Sequence, residues 1–423
     1  MIPSDTLLVG VDIHRRRNVV QVMDGHGQIL SNKLYLANNR PGAAALAAHL
    51  AKLAEAGNVE SIHLAVEATN NFWLPFLAHL QQAEPLADWP LTLYPFNPRV
   101  IANFRKSFSD LDKTDLLDAH VITERLRFGR DLPVPFAMEA LYLPLRTLTR
   151  YRYHLVQELV RVKSYTLSLV YLKASAYNVS RAQRPFSNVF GATSQAVLRE
   201  FQSMEEVAAM PFDDLVEWLD VKGKRRFADP EENARRLQKV AEDSYRLPED
   251  WLASVNTALS LSLRHLNTLQ QLLARTDTAI EEQMEQFPNT LTTIPGIGPV
   301  FAAGIIAEIA DLARFDYNQA KVASFAGLKW KRSQSADFEA DETPRKRGGN
   351  AFLRYYLCEA AQHVRMHDAE YAAFYQRKYD EVPKHKHKRA IVLTARKLVR
   401  LVVRLLTTNE PYRARRVPRD NST

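Results

Sequence analysis

The N-terminal third of the chain alternates short apolar runs with longer amphipathic stretches. Short apolar or alternating runs predict strands, and apolar positions that recur every three or four residues predict helices. This pattern predicts strands at 7–13, 18–24, 28–36, 61–66 and 91–94. It predicts helices at 40–56, 71–83 and 98–107 and after Thr114. Three successive strands followed by alternating strands and helices indicate an α/β domain.

The middle of the chain has the spacing of long helices. Apolar residues recur at near-helical intervals over 138–177 and again from about Pro248 to Glu285, with charged residues between them. Both stretches have features of a coiled coil. Their pattern does not separate an intramolecular hairpin from a dimerisation arm, so both interpretations stay open. Between them, residues 180–248 are predicted to be a mixed, largely helical insertion that prolines interrupt.

The C-terminal part is predicted to be a compact helical module. Helices are expected at about 350–366, 369–379 and 388–407, after a basic loop at 329–349. The predicted fold is therefore α/β plus all-α, with a ribonuclease-H-like domain first. The predicted domains are 1–135, the long helices of 136–287 with the insertion 180–248, the helical module 288–412 and a basic tail at 413–423.

Charge is distributed unevenly along the 423 residues. The net charge is +8, and the segment from Lys321 onward carries 23 Lys and Arg against 11 Asp and Glu. This excess predicts a polyanionic partner for the C-terminal part. The single cysteine, Cys358, excludes an internal disulfide framework and a Cys-rich zinc site. No signal peptide and no run of about 18–20 apolar residues is found, so we expect a cytoplasmic protein without a membrane partner.

Four carboxylates have the most informative setting. Asp12 and Glu67 each end an apolar run, and Asp115 and Asp118 lie three apart on one predicted helix turn. Any one of them alone is better explained as a strand-end residue or as an acid in the first turn of a helix. Together they predict one site that needs a cation, with Mg²⁺ preferred and Mn²⁺ as substitute. In a basic protein, such a site indicates phosphoryl chemistry on nucleic acid.

Two segments of the C-terminal module are predicted to contact nucleic acid. Glycines in the sequence Pro295-Gly296-Ile297-Gly298 resemble a helix-hairpin-helix motif whose backbone N–H groups contact phosphate, although a tight interhelical turn explains them equally well. The basic loop offers cations and a tryptophan for stacking. The candidate nucleic-acid contacts are Arg105, Lys106, Lys113, Gly296, Gly298, Lys329, Trp330, Lys331, Arg332, Arg345, Lys346, Arg347, Asn350 and Arg354.

Serines of the basic loop are candidate nucleophiles, since nearby positive charge favours an alkoxide. The residues alone do not choose between Ser333 and Ser335. The two histidines of Lys384-His385-Lys386-His387-Lys388-Arg389 make a poor metal site, and a phosphate-facing loop is the favoured interpretation.

These motifs together resemble the bridge-RNA-guided DEDD transposases of bacterial insertion sequences, the family often called insertion sequence one-ten. The N-terminal blocks that carry the resemblance are Gly10-Val11-Asp12-Ile13-His14, Val66-Glu67-Ala68-Thr69, Asn97-Pro98, Lys113-Thr114-Asp115 and Asp118-Ala119. The C-terminal blocks are Ile294-Pro295-Gly296-Ile297-Gly298, Phe325-Ala326-Gly327-Leu328, Gln334-Ser335, Gly349-Asn350 and Leu353-Arg354.

The resemblance implies a RuvC-like first domain in which Asp12, Glu67, Asp115 and Asp118 bind Mg²⁺. It implies that Ser335 is the nucleophile, which forms a covalent phosphoserine link to DNA. It also implies donor and target DNA and a guide noncoding RNA as partners, a dimer or tetramer joined through the coiled coil, and a place near the bacterial nucleoid. The chain departs from the family pattern at Ala336, where glycine is usual, and at Gly348, where a basic residue is usual.

Two other functions are compatible with the same residues. A metal-dependent, structure-specific nuclease or junction resolvase would use the acids to activate water and would form no serine adduct. A non-catalytic nucleic-acid-binding protein would use the acids only structurally. A trapped protein–DNA adduct separates a transposase from the nuclease, because hydrolysis leaves no adduct. A melting temperature insensitive to Mg²⁺, together with no cleavage, identifies the non-catalytic protein.

Overall fold

A computed structural model describes residues 4–108, 115–130, 132–133, 135–136, 142–177, 180, 183–330, 334–335, 338–339 and 348–414. Of residues 32–33, 115–116, 334–335 and 338–339 it describes the backbone alone. The chain divides into two compact units, residues 1–140 and 141–423. The finer division into a long-helix domain and a C-terminal module stays a prediction.

The first unit is built on a five-stranded mixed sheet. Its strands are β1 (Thr6–Ile13), β2 (Arg17–Met23), β3 (Ile29–Ala37), β4 (Ser61–Glu67) and β5 (Leu91–Phe96). The order across the sheet is β3-β2-β1-β4-β5. The β1–β2 and β2–β3 pairs are antiparallel, and the β1–β4 and β4–β5 pairs are parallel. This arrangement is compatible with the expected ribonuclease-H-like domain.

Alternation along the strands divides the side chains of the sheet between two apolar layers. Leu7, Val9 and Val11 of β1 face a core shared with helices α1 (Arg40–Ala56) and α2 (Trp73–Gln81). The intervening Leu8 faces a second core, completed by helix α4 (Asp115–Arg127). A short helix α3 (Pro98–Arg105) connects β5 to the segment before α4. The acidic residues near the ends of β1 and β4 therefore lie where these two apolar cores meet.

One strand differs from its prediction. The sequence predicts a fifth strand over 91–94, but β5 continues through Pro95 to Phe96. β5 lies at the edge of the sheet, where a residue without an N–H group costs no ladder hydrogen bond on the open side. The extension carries β5 to the level of Glu67 in β4, since these strands pair Glu67 with Phe96.

Two long helices, α5 (Tyr142–Lys173) and α10 (Glu249–Met284), form the frame of the second unit. They pack against each other within the chain. The Oγ atoms of Thr166 and Ser262 are 2.6 Å apart, and Arg152 binds Asp277 at 2.5 Å. The intramolecular hairpin is therefore present. A coiled-coil dimerisation arm stays a prediction.

The insertion between the long helices is helical, as expected. It contains α6 (Ala192–Glu200), α7 (Met204–Ala209), α8 (Phe212–Lys222) and α9 (Pro230–Asp243). These helices share an apolar core with the end of α5 and with Leu259 and Leu263 of α10. Lys173 lies buried here, and its ammonium donates to Leu198 O, Phe201 O and Asn256 Oδ1 at 2.6–3.0 Å.

The C-terminal helices share a fourth apolar core, which Leu145 of α5 and Ile280 of α10 also join. The C-terminal helices are α11 (Pro299–Ile309), α12 (Gln319–Phe325), α13 (Ala351–His367), α14 (Ala369–Asp380) and α15 (Lys386–Thr408). Two short antiparallel strands, β6 (Gln334–Ser335) and β7 (Phe338–Glu339), lie between α12 and α13. The sequence predicts only a basic loop there, because two-residue strands leave no periodic signal.

Candidate functional site

Asp12 and Glu67 lie side by side at the same edge of the sheet. β1 and β4 are parallel and pair Val11 with Val66, so the next residue of each strand stands at the same level and on the same face. Asp12 is buried, with 7% of its surface exposed, and Glu67 is half-buried. The strand register, which the sequence alone does not fix, therefore brings together two of the predicted acids.

Helix α4 approaches this edge because β1 has a glycine where the helix crosses. A Cβ at Gly10 would lie 2.1 Å from Thr123 Oγ1 and 2.5 Å from the Ala119 carbonyl oxygen, far inside van der Waals contact. Asp12 follows Gly10 by two residues on the same face of β1. The close approach thus brings the first turns of α4, which contain Asp118, towards the carboxylate end of the sheet.

Cationic side chains accompany the acids. His14 Nε2 lies 3.0 Å from Asp12 Oδ2, and Arg105, at the end of α3, forms an ion pair with Asp118. The hydroxyl of Thr69 donates to Glu67 Oε1 at 3.2 Å. The Arg105 guanidinium offsets part of the negative charge of these acids, and His14 does so when it is protonated.

The pKa of Glu67 depends on its burial and on the charged side chains around it. Burial raises the pKa of this carboxyl most strongly, and the negative charge of Asp118 raises it further. The hydrogen bond from Thr69 and the charges of Arg105 and His14 lower the same pKa, but the net direction is upward. Glu67 and Asp118 are therefore close enough to interact electrostatically, as a shared site requires.

The donor set suits a hard divalent cation, because it consists of carboxylate oxygens. The raised pKa of Glu67 agrees with this, since a cation would relieve both its burial and the repulsion from Asp118. Within the described side chains, however, no three His, Cys, Asp or Glu groups lie close enough to bind one metal ion. The carboxylate of the fourth predicted ligand, Asp115, lies outside the described atoms, although its backbone begins α4.

The predicted nucleic-acid contacts of the first unit divide into three cases. Arg105 is half-buried and engaged with Asp118, whereas Lys106 is exposed at the end of α3. Lys113 lies outside the described residues.

The two glycines of the predicted helix-hairpin-helix motif have different surroundings. Gly296 has a φ of +90°, and a Cβ there would lie 2.7 Å from the backbone carbonyl carbon of His363 in α13. Gly298 is exposed at the start of α11, and a Cβ there would meet no atom within 4 Å. Packing on α13 explains the first glycine, while the second leaves open space before a helix N-terminus.

The basic loop is described only in part. Lys329 is exposed and Trp330 half-buried, and the backbone of Ser335 pairs with Phe338 across β6 and β7. The remaining predicted contacts of this loop lie outside the described residues: Lys331, Arg332, Arg345, Lys346 and Arg347.

Asn350 and Arg354, which follow the loop, form side-chain hydrogen bonds to other residues of the protein. Asn350 Oδ1 accepts hydrogen bonds from the N–H groups of Phe352 and Leu353 and so caps α13. Arg354 donates to the carbonyl oxygens of Ala326 and Gly348, each at 3.0 Å.

A buried carboxylate that the sequence prediction did not assign lies next to this cap. Glu308 of α11 is 2% exposed and accepts two hydrogen bonds from Arg150 of α5, at 2.6 and 2.9 Å. Its signal is visible in the sequence, as the one acid within the apolar run 300–310. Its partner is 158 residues away, so periodicity could not find the pair. His14 and Arg105 were likewise not predicted as partners of the acids.

No helix among the described residues is long and apolar enough to cross a membrane.

Comparison with protein families agrees with these observations. A DEDD transposase model of the IS110 family, described as "Transposase", matches residues 9–171 and includes all four predicted acids. A second model, described as "Transposase IS116/IS110/IS902 family", matches residues 289–376 and includes Ser335. Together the two matches cover more than half of the chain. The chain therefore belongs to the IS110 family of DNA transposases, and the resemblance predicted from its motifs is confirmed.

A curated relative comes from Streptomyces clavuligerus. This insertion element IS116 uncharacterized 44.8 kDa protein is 25% identical to the chain over 238 residues. The alignment covers 54% of this chain and 56% of the relative. The chain thus spans about half the length of the relative it matches.

The DEDD family model implies dependence on a divalent metal in general.

Proposed function

We propose that this protein is a DNA recombinase that cleaves and rejoins donor and target strands and so mobilises an insertion sequence. The observation that carries the proposal is the position of Asp12 and Glu67 at one level of adjacent parallel strands, with Asp118 near enough to raise the pKa of Glu67. Membership of a transposase family supports this chemistry over an unrelated use of the same acids.

Asp12, Glu67, Asp118 and Asp115 are the residues that would hold Mg²⁺, with Mn²⁺ as substitute. When bound, the ion would neutralise charge that develops on a DNA phosphate. The chain itself contributes the rest of the site. Thr69 orients the Glu67 carboxylate, and Arg105 holds the Asp118 carboxylate in an ion pair.

Ser335 is the proposed nucleophile. Its Oγ forms a bond to the DNA phosphorus as the bond from that phosphorus to a deoxyribose oxygen breaks. The serine loses its proton and the departing oxygen gains one, so the exchange needs no oxidant or reductant. A hydroxyl from another strand end then attacks the phosphoserine and reverses the exchange, which rejoins DNA without loss of the phosphodiester bond energy.

Sequence choice would come from a guide noncoding RNA that pairs with donor and target DNA. The protein would then contact backbone and shape, and its C-terminal positive charge suits this task. Lys106, Gly298, Lys329 and Trp330 are the described residues proposed for these contacts. The outer faces of α5 and α10 are the proposed surfaces for a coiled-coil dimer or tetramer, since both expose large apolar side chains.

The test is strand exchange on donor and target DNA with the guide RNA present. Asp12→Asn should reduce exchange by about a hundredfold or more, because it removes a charged ligand from the site. The matched control is Asp88→Asn, an exposed acid before β5, which should leave exchange unchanged. Equal activity of both variants would remove the acid site from the mechanism. Metal-dependent cleavage without rejoining or adduct would identify a nuclease.

A further inference from the structure

The segment that contains Ser335 begins and ends at one place in the fold. The residues before it, 325–328, and after it, 348–350, are called its stems. Gly349 has a φ of +81°, and a Cβ there would lie 2.4 Å from the Gly327 nitrogen. The Asn350 N–H donates to the Phe325 carbonyl at 2.6 Å. Only glycine allows the two stems to approach this closely.

Arg354 also links the stems. The same nitrogen, Nη1, donates to Ala326 O on the first stem and to Gly348 O on the second. A guanidinium is planar and rigid, so this double contact restrains the separation of the stems as well as their approach.

Asn350 connects the stems to the interior through both ends of its amide. Its Oδ1 caps α13, and its Nδ2 donates to Glu308 Oε2 at 2.6 Å. Glu308 is in turn held by the bidentate contact with Arg150, whose guanidinium carbon lies 4.6 Å from the centre of the Phe352 ring. One buried carboxylate thus joins the long helix α5, the core helix α11 and the second stem.

The stability of the fold alone does not require this arrangement. Replacing a buried ion pair by apolar side chains of similar volume is often neutral or stabilising, whereas an uncompensated buried charge is strongly destabilising. Helix α11 is otherwise apolar and almost completely buried, so an apolar residue would suit position 308. The network does, however, impose a single geometry on the stems, since Glu308 has a defined partner on each side.

We propose that Glu308 and Asn350 are positioning residues that fix the stems, and through them the orientation in which Ser335 meets DNA. This inference rests on the proposed function, because it takes Ser335 as the nucleophile. It assigns Asn350 an internal role in place of the direct nucleic-acid contact that its sequence context predicts. A nucleophile displaced by about 1 Å loses about a hundredfold in rate, so a shift of the stems should be measurable in the covalent step.

Asn350→Asp separates the two roles of the side chain. The variant retains an oxygen to cap α13 but replaces the amide donor by a carboxylate facing Glu308. The rate of adduct formation between Ser335 and a DNA substrate should fall at least tenfold, while the Kd for DNA changes less than twofold. Asn318→Asp is the matched control, because Asn318 caps α12 in the same way, is exposed, and lies outside the network. Its adduct rate should equal that of the wild type.

A reciprocal exchange tests the contact itself. Glu308→Gln alone leaves Arg150 without its carboxylate and should also slow adduct formation at least tenfold. In the double variant E308Q/N350D, the amide nitrogen introduced at 308 donates to the carboxylate introduced at 350, and the amide oxygen still accepts from Arg150 Nε, although Arg150 Nη2 loses its acceptor. The double variant should form the adduct faster than Glu308→Gln alone, because the contact between positions 308 and 350 is restored. A contact that merely stabilised the fold would change the melting temperature and the adduct rate in parallel in all three variants.

Two outcomes would overturn the proposal. One is an Asn350→Asp variant with an adduct rate within twofold of the wild type. The other is a loss of DNA affinity in Asn350→Asp that accounts for the whole fall in the adduct rate and persists in the double variant. A direct contact of Asn350 with DNA predicts this result.

Failure of the proposed function is recognised separately, because wild-type protein would then form no adduct. In that case amide hydrogen exchange of residues 325–328 and 348–353 tests the positioning claim. Asn350→Asp should accelerate exchange at both stems, and unchanged exchange would overturn the claim.

Discussion

Asp12 and Glu67 stand next to each other because Val11 pairs with Val66 in two parallel strands. A shift of one residue in this register would turn one carboxylate to the opposite face of the sheet. The apolar runs that precede both acids fill a core on each face of the sheet, and this packing holds the two strands in place. The site is therefore a consequence of how the sheet is packed, and its properties can be tested through packing as well as through charge.

Glu67→Gln should stabilise the protein in the absence of divalent metal while it eliminates strand exchange. Burial and the charge of Asp118 raise the pKa of Glu67, so the folded protein disfavours the ionised form. Because the folded pKa exceeds the unfolded value, wild-type stability falls as the pH rises from about 4.5 through the raised pKa. The melting temperature of the variant relative to the wild type should therefore increase between pH 4 and pH 7.

The control for this comparison is Glu84→Gln, since Glu84 is exposed and is not one of the acids of the site. Its melting temperature should follow that of the wild type at every pH. A Glu67→Gln variant that melts below the wild type at pH 7 without metal would show that the ionised carboxylate stabilises the site.

Gly10→Ala should separate α4 from β1. The added Cβ would meet the Ala119 carbonyl oxygen at 2.5 Å and Thr123 Oγ1 at 2.1 Å, so the helix must move. Overpacking of this kind costs ~1–3 kcal/mol, and the displacement of Asp118 should reduce exchange at least tenfold. Urea denaturation and strand-exchange rates measure the two effects.

Thr123→Ala distinguishes backbone from side-chain crowding in that experiment. It removes the hydroxyl, but the Ala119 carbonyl and the Thr123 nitrogen remain within 2.6 Å of the added Cβ. The double variant G10A/T123A should therefore stay defective. Full recovery would show that the hydroxyl alone sets the spacing between helix and strand.

Gly296→Ala and Gly298→Ala should differ in what they damage. The first places a Cβ against the backbone of His363 at a φ of +90°, so we expect a loss of ~1–3 kcal/mol in the free energy of unfolding. The second meets no neighbouring atom and should cost less than about 1 kcal/mol. If Gly298 contacts phosphate, its variant weakens DNA binding in a gel-shift titration without loss of stability. Unchanged binding would leave only the turn as the explanation for this motif.

Lys173 should give the insertion a distinctive pH dependence. Burial lowers the pKa of this lysine to about 8, below its ordinary 10.5. The unfolded chain then holds more protons than the folded one between those values, so Lys173 makes stability rise with pH from about 8 to 10.5. Lys173→Met should remove that contribution.

The melting temperatures of wild type and Lys173→Met at pH 7.5 and 9.5 measure this effect. The variant should be less stable at both values, because the Leu198, Phe201 and Asn256 oxygens lose a buried donor. Between pH 7.5 and pH 9.5, the melting temperature of the wild type should shift upward relative to that of the variant. Equal changes would contradict a lowered pKa.

The sequence predicts the parts of this fold that depend on local pattern. The five strands and the two long helices follow from apolar spacing, and Asp12 and Glu67 are recognisable because each ends an apolar run. Long-range pairing is not predictable in this way. The contacts of Arg105 with Asp118 and of Glu308 with Arg150 join residues with no shared periodicity, and the tolerance of Pro95 depends on β5 lying at the sheet edge.

The central claim is tested most directly by trapping the protein on DNA and identifying the modified residue. Wild-type protein is incubated with Mg²⁺, guide RNA and a nicked donor substrate that prevents rejoining, and the adduct is digested and mapped by mass spectrometry. The account predicts a DNA phosphate on Ser335, lost in Ser335→Ala and in Asp12→Asn but retained in Asp88→Asn. Metal-dependent cleavage at wild-type rate by Ser335→Ala, or a DNA adduct on another residue, would contradict it.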